Sequence, residues 1–261
     1  MSEERTVQFG YERVSAGEKT RRVEGIFRSV ADRYDLMNDL MSLGSHRLMK
    51  RMTIEMSGVR AGHTVVDLAG GTGDFAALYA PLVQPDGRVI LADINAAMLE
   101  VGRDRLLDRG ITNVDCCLAD AEALPFGDAS VNCITIGFGL RNLTDKERAL
   151  SEMCRVLAPG GRLLVLEFSK PENPLIDAAY SVFQSFWPGI GRAITGDADA
   201  YRYLVESIKV HPDQKALKLM MSDAGFIDVG YENLLTGVAA IHHGRKAYGE
   251  PGGPQDGATA P

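Results

Sequence analysis

At 261 residues, with 45% hydrophobic side chains, the chain has enough apolar material for one large core. A net charge of −7 excludes a nucleic-acid partner, whose phosphates demand a basic surface. The four cysteines, Cys116, Cys117, Cys133 and Cys154, show no Cys-x-x-Cys spacing, so no metal site is predicted and reduced, buried thiols are expected. The polar start Met1-Ser2-Glu3-Glu4-Arg5 carries no apolar leader, and no run approaches the ~20 apolar residues of a membrane span. A cytoplasmic location is expected, with attachment to a membrane surface left open.

Residues 1–20 are polar and are expected to form a flexible tail; the Gly- and Pro-rich residues 248–261 are expected to be disordered. Residues 21–247 read as one domain, with a helical N-terminal cap over 21–61 and a helical insert over 172–210. Val23, Ile26, Phe27, Val30 and Ala31 recur at helical spacing, and Gly44 divides this region in two. Strands and helices then alternate. The strands are Thr64–Asp67, Arg88–Asp93, Val114–Leu118, Val131–Ile136 and Arg162–Phe168; the helices are Phe75–Leu82, Ala96–Asp108 and Lys146–Val156. After the insert comes a helix from about Pro212 to Ala224, then strands Ile227–Asn233 and Gly237–His243, close enough to pair as an antiparallel hairpin. The order predicts an α/β fold with a doubly wound, mostly parallel, seven-stranded sheet that ends in that hairpin.

The most informative stretch is Val65-Val66-Asp67-Leu68-Ala69-Gly70-Gly71-Thr72-Gly73-Asp74-Phe75, a strand that runs into a glycine-rich turn and a helix start. Such loops at strand C-termini are where open α/β sheets bind nucleotides. Asp93 ends the next strand, twenty residues after Gly73, and its carboxylate can accept from both ribose hydroxyls. Together they indicate an adenosine-type cofactor. Gly71-Thr72-Gly73-Asp74-Phe75-Ala76 also fits the dinucleotide pattern G-x-G-x-x-A. Asp67 and Asp74 beside the loop would repel a pyrophosphate but attract a sulfonium and an α-amino group, which favours S-adenosylmethionine over NAD. The layout, together with Asp120-Ala121-Glu122 after the third strand and the Pro159-Gly160-Gly161 turn before the fifth, resembles the S-adenosylmethionine-dependent methyltransferase fold.

Further segments are beyond what that cofactor requires. They are Phe27 to Arg47, Gly137-Phe138-Gly139-Leu140-Arg141-Asn142-Leu143-Thr144-Asp145, Leu166-Glu167-Phe168-Ser169-Lys170-Pro171, and Asp197 to Ile208. From Arg22 to Lys246 the chain resembles the UbiE/MenG family, the C-methyltransferases of ubiquinone and menaquinone biosynthesis. The resemblance implies methyl transfer from S-adenosylmethionine, without a metal, to a ring carbon of a prenylated quinol. The substrate would be demethylmenaquinol, a 2-methoxy-6-polyprenyl-1,4-benzoquinol, or both; a different small acceptor is the alternative. Asp67, Gly71, Thr72, Gly73, Asp93, Asp120 and Ala121 are the expected cofactor residues, with Gly137 through its backbone only, since Gly stands where many members have Ser.

Methylation at carbon ortho to a phenolic hydroxyl requires loss of that hydroxyl's proton. Arg141 and Asn142, just past the fourth strand, are placed to stabilise a developing phenolate and to hold a quinol oxygen. Arginine is a poor base, so Asp39 or His46 is assigned the proton-accepting role. Tyr34, Asn38 and Tyr201 are the expected substrate contacts, and Phe183, Phe186 and Trp187 either form an entrance for the tail or pack against the sheet. Peripheral contact with the inner face of the membrane, and assembly as a homodimer or within a quinone-biosynthesis complex, are left open.

Overall fold

The structure, a computed structural model, describes residues 6–30, 44–194 and 198–248. It opens on a short antiparallel hairpin, β1 (Thr6–Phe9) and β2 (Glu12–Ser15), followed by helices α1 (Ala16–Val30) and α2 (His46–Ser57). Alternation then begins with β3 (Thr64–Leu68), α3 (Asp74–Tyr79), β4 (Arg88–Asp93), α4 (Ala96–Asp108), β5 (Val114–Leu118), β6 (Val131–Gly137), α5 (Lys146–Val156) and β7 (Leu157–Phe168). The insert supplies α6 (Pro174–Ser185), α7 (Trp187–Ile194) and α8 (Ala198–Val210); α9 (Gln214–Asp223), β8 (Phe226–Leu234) and β9 (Ala239–Lys246) complete the domain.

The seven-stranded sheet has the order β5-β4-β3-β6-β7-β9-β8. Pairs among β3 to β7 are parallel, and β9 runs antiparallel to both β7 and β8, as the sequence predicts. The chain moves outward from β3 through β4 to β5, then returns to lay β6 on the other side of β3. That reversal opens a crevice at the C-terminal ends of β3 and β6, where ligands of open α/β sheets bind.

Period-2 alternation builds the two core layers. Val65, Val89, Leu91 and Cys133 face one layer, with Tyr79, Trp187 and Tyr201. Val66, Leu68, Ile90, Ala92, Ile134 and Ile136 face the other, with Leu150, Met153 and Leu217. Helix starts are marked by side chains that accept from the first turn: Asn95 for α4, Asp145 for α5, Asn173 for α6 and Asp213 for α9.

Three expectations need correction. Residues 6–20 are not a loose tail: Phe9 stacks on Tyr203 of α8 at 4.5 Å, and Tyr11 donates its backbone N–H to Glu206 at 3.3 Å. The Pro159-Gly160-Gly161 segment does not precede its strand but lies inside β7, which is accommodated by a register shift between Val131 and Cys133. Cys116 is exposed and Cys117 only half-buried, because β5 is an edge strand with one open side.

Candidate active site

The crevice at the β3/β6 switch holds a cavity of about 240 Å³. Gly71 after β3, Asp93 at the end of β4, Asp120 after β5 and Phe138, Gly139 and Asn142 after β6 all line it. Asp93 is buried, and its two oxygens are shared between two backbone donors: Oδ2 accepts from Gly71 N at 2.9 Å and Oδ1 from Asn95 N at 2.9 Å. Burial pushes its carboxyl up, and the N–H groups of Asn95, Gly71 and Ile94 oppose that. Each oxygen keeps a lone pair for a ligand hydroxyl.

Asp67 lies beneath the loop, fully buried. Its Oδ2 accepts from Ala76 N at 2.9 Å, while Oδ1 has no partner among the described residues. Burial drives this carboxyl up to about 7, against the N–H of Ala76 and the charge of Lys50. Folding therefore favours the protonated form between the ordinary 3.8 and about 7, and ionising Asp67 across that window removes stability as pH rises. Asp67→Asn is expected to flatten this part of the stability profile. Thermal unfolding of variant and parent from pH 4 to 8 checks it; parallel curves would refute the assignment.

Gly73 adopts φ +79° at the start of α3, a left-handed position that a residue with a Cβ disfavours. Thr72 is buried, and its carbonyl accepts from Arg105 at 3.3 Å. Asp120 accepts from Glu122 N at 2.9 Å, and Ala121 packs into the core beside it. Gly137 does not line the cavity: a Cβ there would lie 2.5 Å from the Phe75 ring, so its lack of a side chain serves packing.

Asp74 is the largest revision of the charge pattern. Its carboxylate turns away from the cofactor crevice to Lys50 at 2.6 Å and Arg105 at 3.2 Å, which together neutralise it. It therefore adds no repulsion at the loop, and the carboxylates that line the crevice are Asp93, Asp120, Glu24 and Glu122.

Arg141 and Asn142 sit on a 3-10 turn, Leu140–Asn142, directly after β6. Arg141 is buried. Its Nη1 donates to Glu167 Oε1 at 2.9 Å and to the Phe138 carbonyl, and its backbone N–H donates to Glu167 Oε2 at 3.1 Å. Its Nε is buried without a partner among the described residues. Asn142 lines the cavity, and its Oδ1 accepts from the Tyr203 hydroxyl at 3.2 Å. Burial pushes the Tyr203 phenol up, which keeps it a donor.

The other assigned residues lie elsewhere. His46 is at the start of α2 and lines a separate cavity with Lys50 and Asp74. Tyr201 is fully buried in the first core layer, with Trp187 and Leu204. Trp187 is buried and Phe186 exposed, so this aromatic group divides between core and surface. Tyr34, Asn38 and Asp39 lie outside the described residues.

The structure adds α1, which sequence reading placed partly in the tail. Thr20, Val23 and Glu24 form one wall of the cavity. The N-terminal signal was present: Ser15 with Glu18 has the spacing of a capping box, and Ser15 Oγ accepts from Glu18 N at 3.3 Å. Two bonds hold α1 over the crevice. Asn95 Nδ2 donates to Glu24 O at 3.3 Å, and the buried Lys19 ammonium donates to Leu143 O at 2.8 Å. Burial and the nearby Lys146 lower the Lys19 pKa to about 7, against Glu122. Lys19→Ala is expected to free this wall and weaken adenosine-ligand binding by about tenfold, the equivalent of one lost hydrogen bond. Titration calorimetry checks it, and unchanged affinity would show that α1 does not close on the ligand.

Comparison with known proteins agrees with this geometry. Residues 15–246 match the sequence model of the ubiE/COQ5 methyltransferase family. Proteins named ubiquinone/menaquinone biosynthesis C-methyltransferase UbiE are 57% identical in Teredinibacter turnerae, over 95% of this chain and 100% of that one, and 58% identical in Cellvibrio japonicus, over 94% and 100%. Among solved structures, an S-adenosylmethionine-dependent methyltransferase from Aquifex aeolicus superposes with TM-score 0.59 at 17% identity, over 81% of this chain and 97% of that one. The [4+2]-cyclase SpnF superposes with TM-score 0.58 at 18% identity, over 88% and 96%. Likeness at that distance shows the fold alone, and the cyclase illustrates that one fold hosts different chemistries.

Proposed function

The chain belongs to the ubiE/COQ5 methyltransferase family, and on that premise we propose that it transfers the methyl of S-adenosylmethionine to a ring carbon of a prenylated quinol. The substrate is demethylmenaquinol, 2-methoxy-6-polyprenyl-1,4-benzoquinol, or both. The observation that carries this reading is the position of Asn142, a hydrogen-bonding side chain on the wall of the same cavity that Gly71 and Asp93 line.

The residues present fit the cofactor. Asp93 offers paired acceptors for ribose hydroxyls, and Asp120, on the wall of the same cavity, offers an acceptor for an adenine amino group. When bound, S-adenosylmethionine supplies a methyl group activated as an electrophile by its sulfonium. Asn142, fixed by Tyr203, holds a quinol oxygen so that the carbon beside it faces the cofactor crevice. Alignment of this kind lowers a barrier by about 7–11 kcal/mol.

Arg141 carries a charge already matched by Glu167, so it acts as a positioning residue for Asn142 and as a hydrogen-bond donor through Nε, not as an unpaired cation. His46, in the separate cavity, is removed from the proton-accepting role assigned to it; Asp39 keeps that assignment.

No helix among the described residues is long and apolar enough to cross a membrane. Leu175, Val182 and Phe186 form an exposed apolar stripe along α6 at spacings of seven and four residues, a surface suited to a prenyl tail at the cytoplasmic face of the bilayer. A bacterial strain lacking its own quinol C-methyltransferase tests the assignment. Expression of this chain is expected to clear the demethylated precursors and restore the methylated quinone, and Asn142→Ala is expected to fail while still binding cofactor. Persistence of the precursors with the folded, cofactor-binding parent protein would overturn the quinol reading.

A further inference from the structure

The N-terminal hairpin, β1 with β2, forms a two-stranded sheet of its own, apart from the seven-stranded one. A lone hairpin of such short strands is marginal in water, so what it packs against decides its place. Two contacts join it to α8. The Phe9 ring stacks on Tyr203, with centroids 4.5 Å apart and planes 22° from parallel. Tyr11 donates its backbone N–H to Glu206 at 3.3 Å, and Gly10, at φ +57°, lies so close to the Glu206 side chain that a Cβ would collide with it. Tyr203 and Glu206 are three positions apart and so share one face of the helix. From α1, the Arg22 guanidinium stands over the Phe9 ring at 5.3 Å, held by Glu12 and Glu18.

The far end of Tyr203 reaches the site. Its ring is buried, and its hydroxyl donates to Asn142 Oδ1 at 3.2 Å. That bond sets which way round the Asn142 amide sits: Oδ1 is engaged, and Nδ2 is the end left to donate to a ligand oxygen. A tyrosine ring turns about χ1 and χ2, and either rotation would swing it off Phe9. The stack therefore fixes the hydroxyl, and the hydroxyl fixes the amide. Phe9 itself is not among the residues that line the cavity.

We infer that Phe9 is a positioning residue for methyl transfer: through Tyr203 it holds the Asn142 amide with Nδ2 available to the acceptor oxygen. The inference rests on the proposed role of Asn142 in holding a quinol oxygen. It gives the N-terminal hairpin a part in the site although the hairpin lies outside the crevice. Small errors in such placement are costly, since ~1 Å of misalignment can slow a reaction about 100-fold.

The test is a double-mutant cycle on methyl transfer to whichever reduced demethylated quinol the parent accepts, with S-adenosylmethionine affinity measured on the same preparations. Phe9→Leu keeps apolar bulk and removes the ring; Tyr203→Phe keeps the ring and removes the hydroxyl. Each is expected to lower kcat/KM by about five- to tenfold, the equivalent of one lost hydrogen bond, with cofactor affinity unchanged. The double variant is expected to be no slower than Tyr203→Phe alone, because without the hydroxyl the stack has nothing to pass on. Phe9→Tyr preserves the stack and is expected to restore the parent's rate. Losses that multiply in the double variant, or weakened cofactor binding in Phe9→Leu, would make Phe9 a structural residue and overturn the inference. A second readout needs no acceptor: the side-chain amide resonances of Asn142, assigned by their absence in Asn142→Ala. Tyr203→Phe and Phe9→Leu are expected to shift them alike, and Phe9→Tyr to leave them in place. Resonances unmoved in Phe9→Leu overturn the inference whatever the acceptor is, whereas failure of the quinol reading shows separately, as no transfer by the parent.

Discussion

Replacing Glu167 with alanine is expected to destabilise the protein by about 3–5 kcal/mol, because it leaves the Arg141 guanidinium buried without its counter-charge. Glu167 is buried and accepts three bonds at the point where β6 and β7 end: from Arg141 Nη1 at 2.9 Å, from Arg141 N at 3.1 Å and from Phe168 N at 2.9 Å. Its loss orphans two backbone N–H groups as well as the cation. A chain of this size is expected to lose about 10 °C or more in Tm. A second variant separates stability from function. Replacing the pair together, Glu167→Leu with Arg141→Met, removes both charges and is expected to recover part of the stability: the buried cation is gone, but the Arg141 and Phe168 N–H groups still lack their acceptor. Activity is expected to stay low in that double variant, because the turn that presents Asn142 has lost its anchor. Calorimetric Tm values and methyl-transfer rates on the same preparations decide the matter. If the single variant melts within about 2 °C of the parent, the pair does not hold the turn.

Asp93→Ala is expected to weaken S-adenosylmethionine binding by about 100-fold or more, since hydrogen bonds to a charged group contribute about 1.5–3 kcal/mol each. The carboxylate does two things at once. It fixes the Gly71 and Asn95 backbones, and it presents acceptors to the cavity. Asp93→Asn is expected to fall in between, because one oxygen becomes an amide donor that faces a backbone N–H. Calorimetric titration with S-adenosylmethionine and with its demethylated product measures both variants. A change of less than about threefold in Asp93→Ala would remove Asp93 from the cofactor site.

Features legible in the sequence are those encoded by neighbours along the chain. The strand, turn and helix around Asp67 to Phe75 form one local signal, and Asp93 lies at the end of the next apolar run, so both were readable. The mostly parallel sheet followed from alternation, and its antiparallel end from the short spacing of the last two strands. What was not legible depends on packing between distant elements. Glu167 stands 26 residues from Arg141, and only the pairing of Gly137 with Leu166 brings them together. Asp74 looked like a loop carboxylate; the approach of Lys50 from α2 turns it elsewhere. His46 could be assigned to the chemistry only because nothing in the sequence fixes which side of α3 its helix occupies. Residues 6–20 were misread for another reason: their polar composition outweighed a capping signal at Ser15 and Glu18 that marks the start of α1.

The central claim is that this chain methylates carbon on the reduced form of a prenylated quinol. It is tested most directly by incubating the purified protein with S-adenosylmethionine carrying an isotopically labelled methyl group and each demethylated substrate, supplied reduced or oxidised. The expected result is label on a ring carbon adjacent to a hydroxyl, in the reduced substrate only, and lost in Asn142→Ala. Label on oxygen, equal methylation of the oxidised quinone, or no transfer to either quinol by folded, cofactor-binding protein would contradict the assignment.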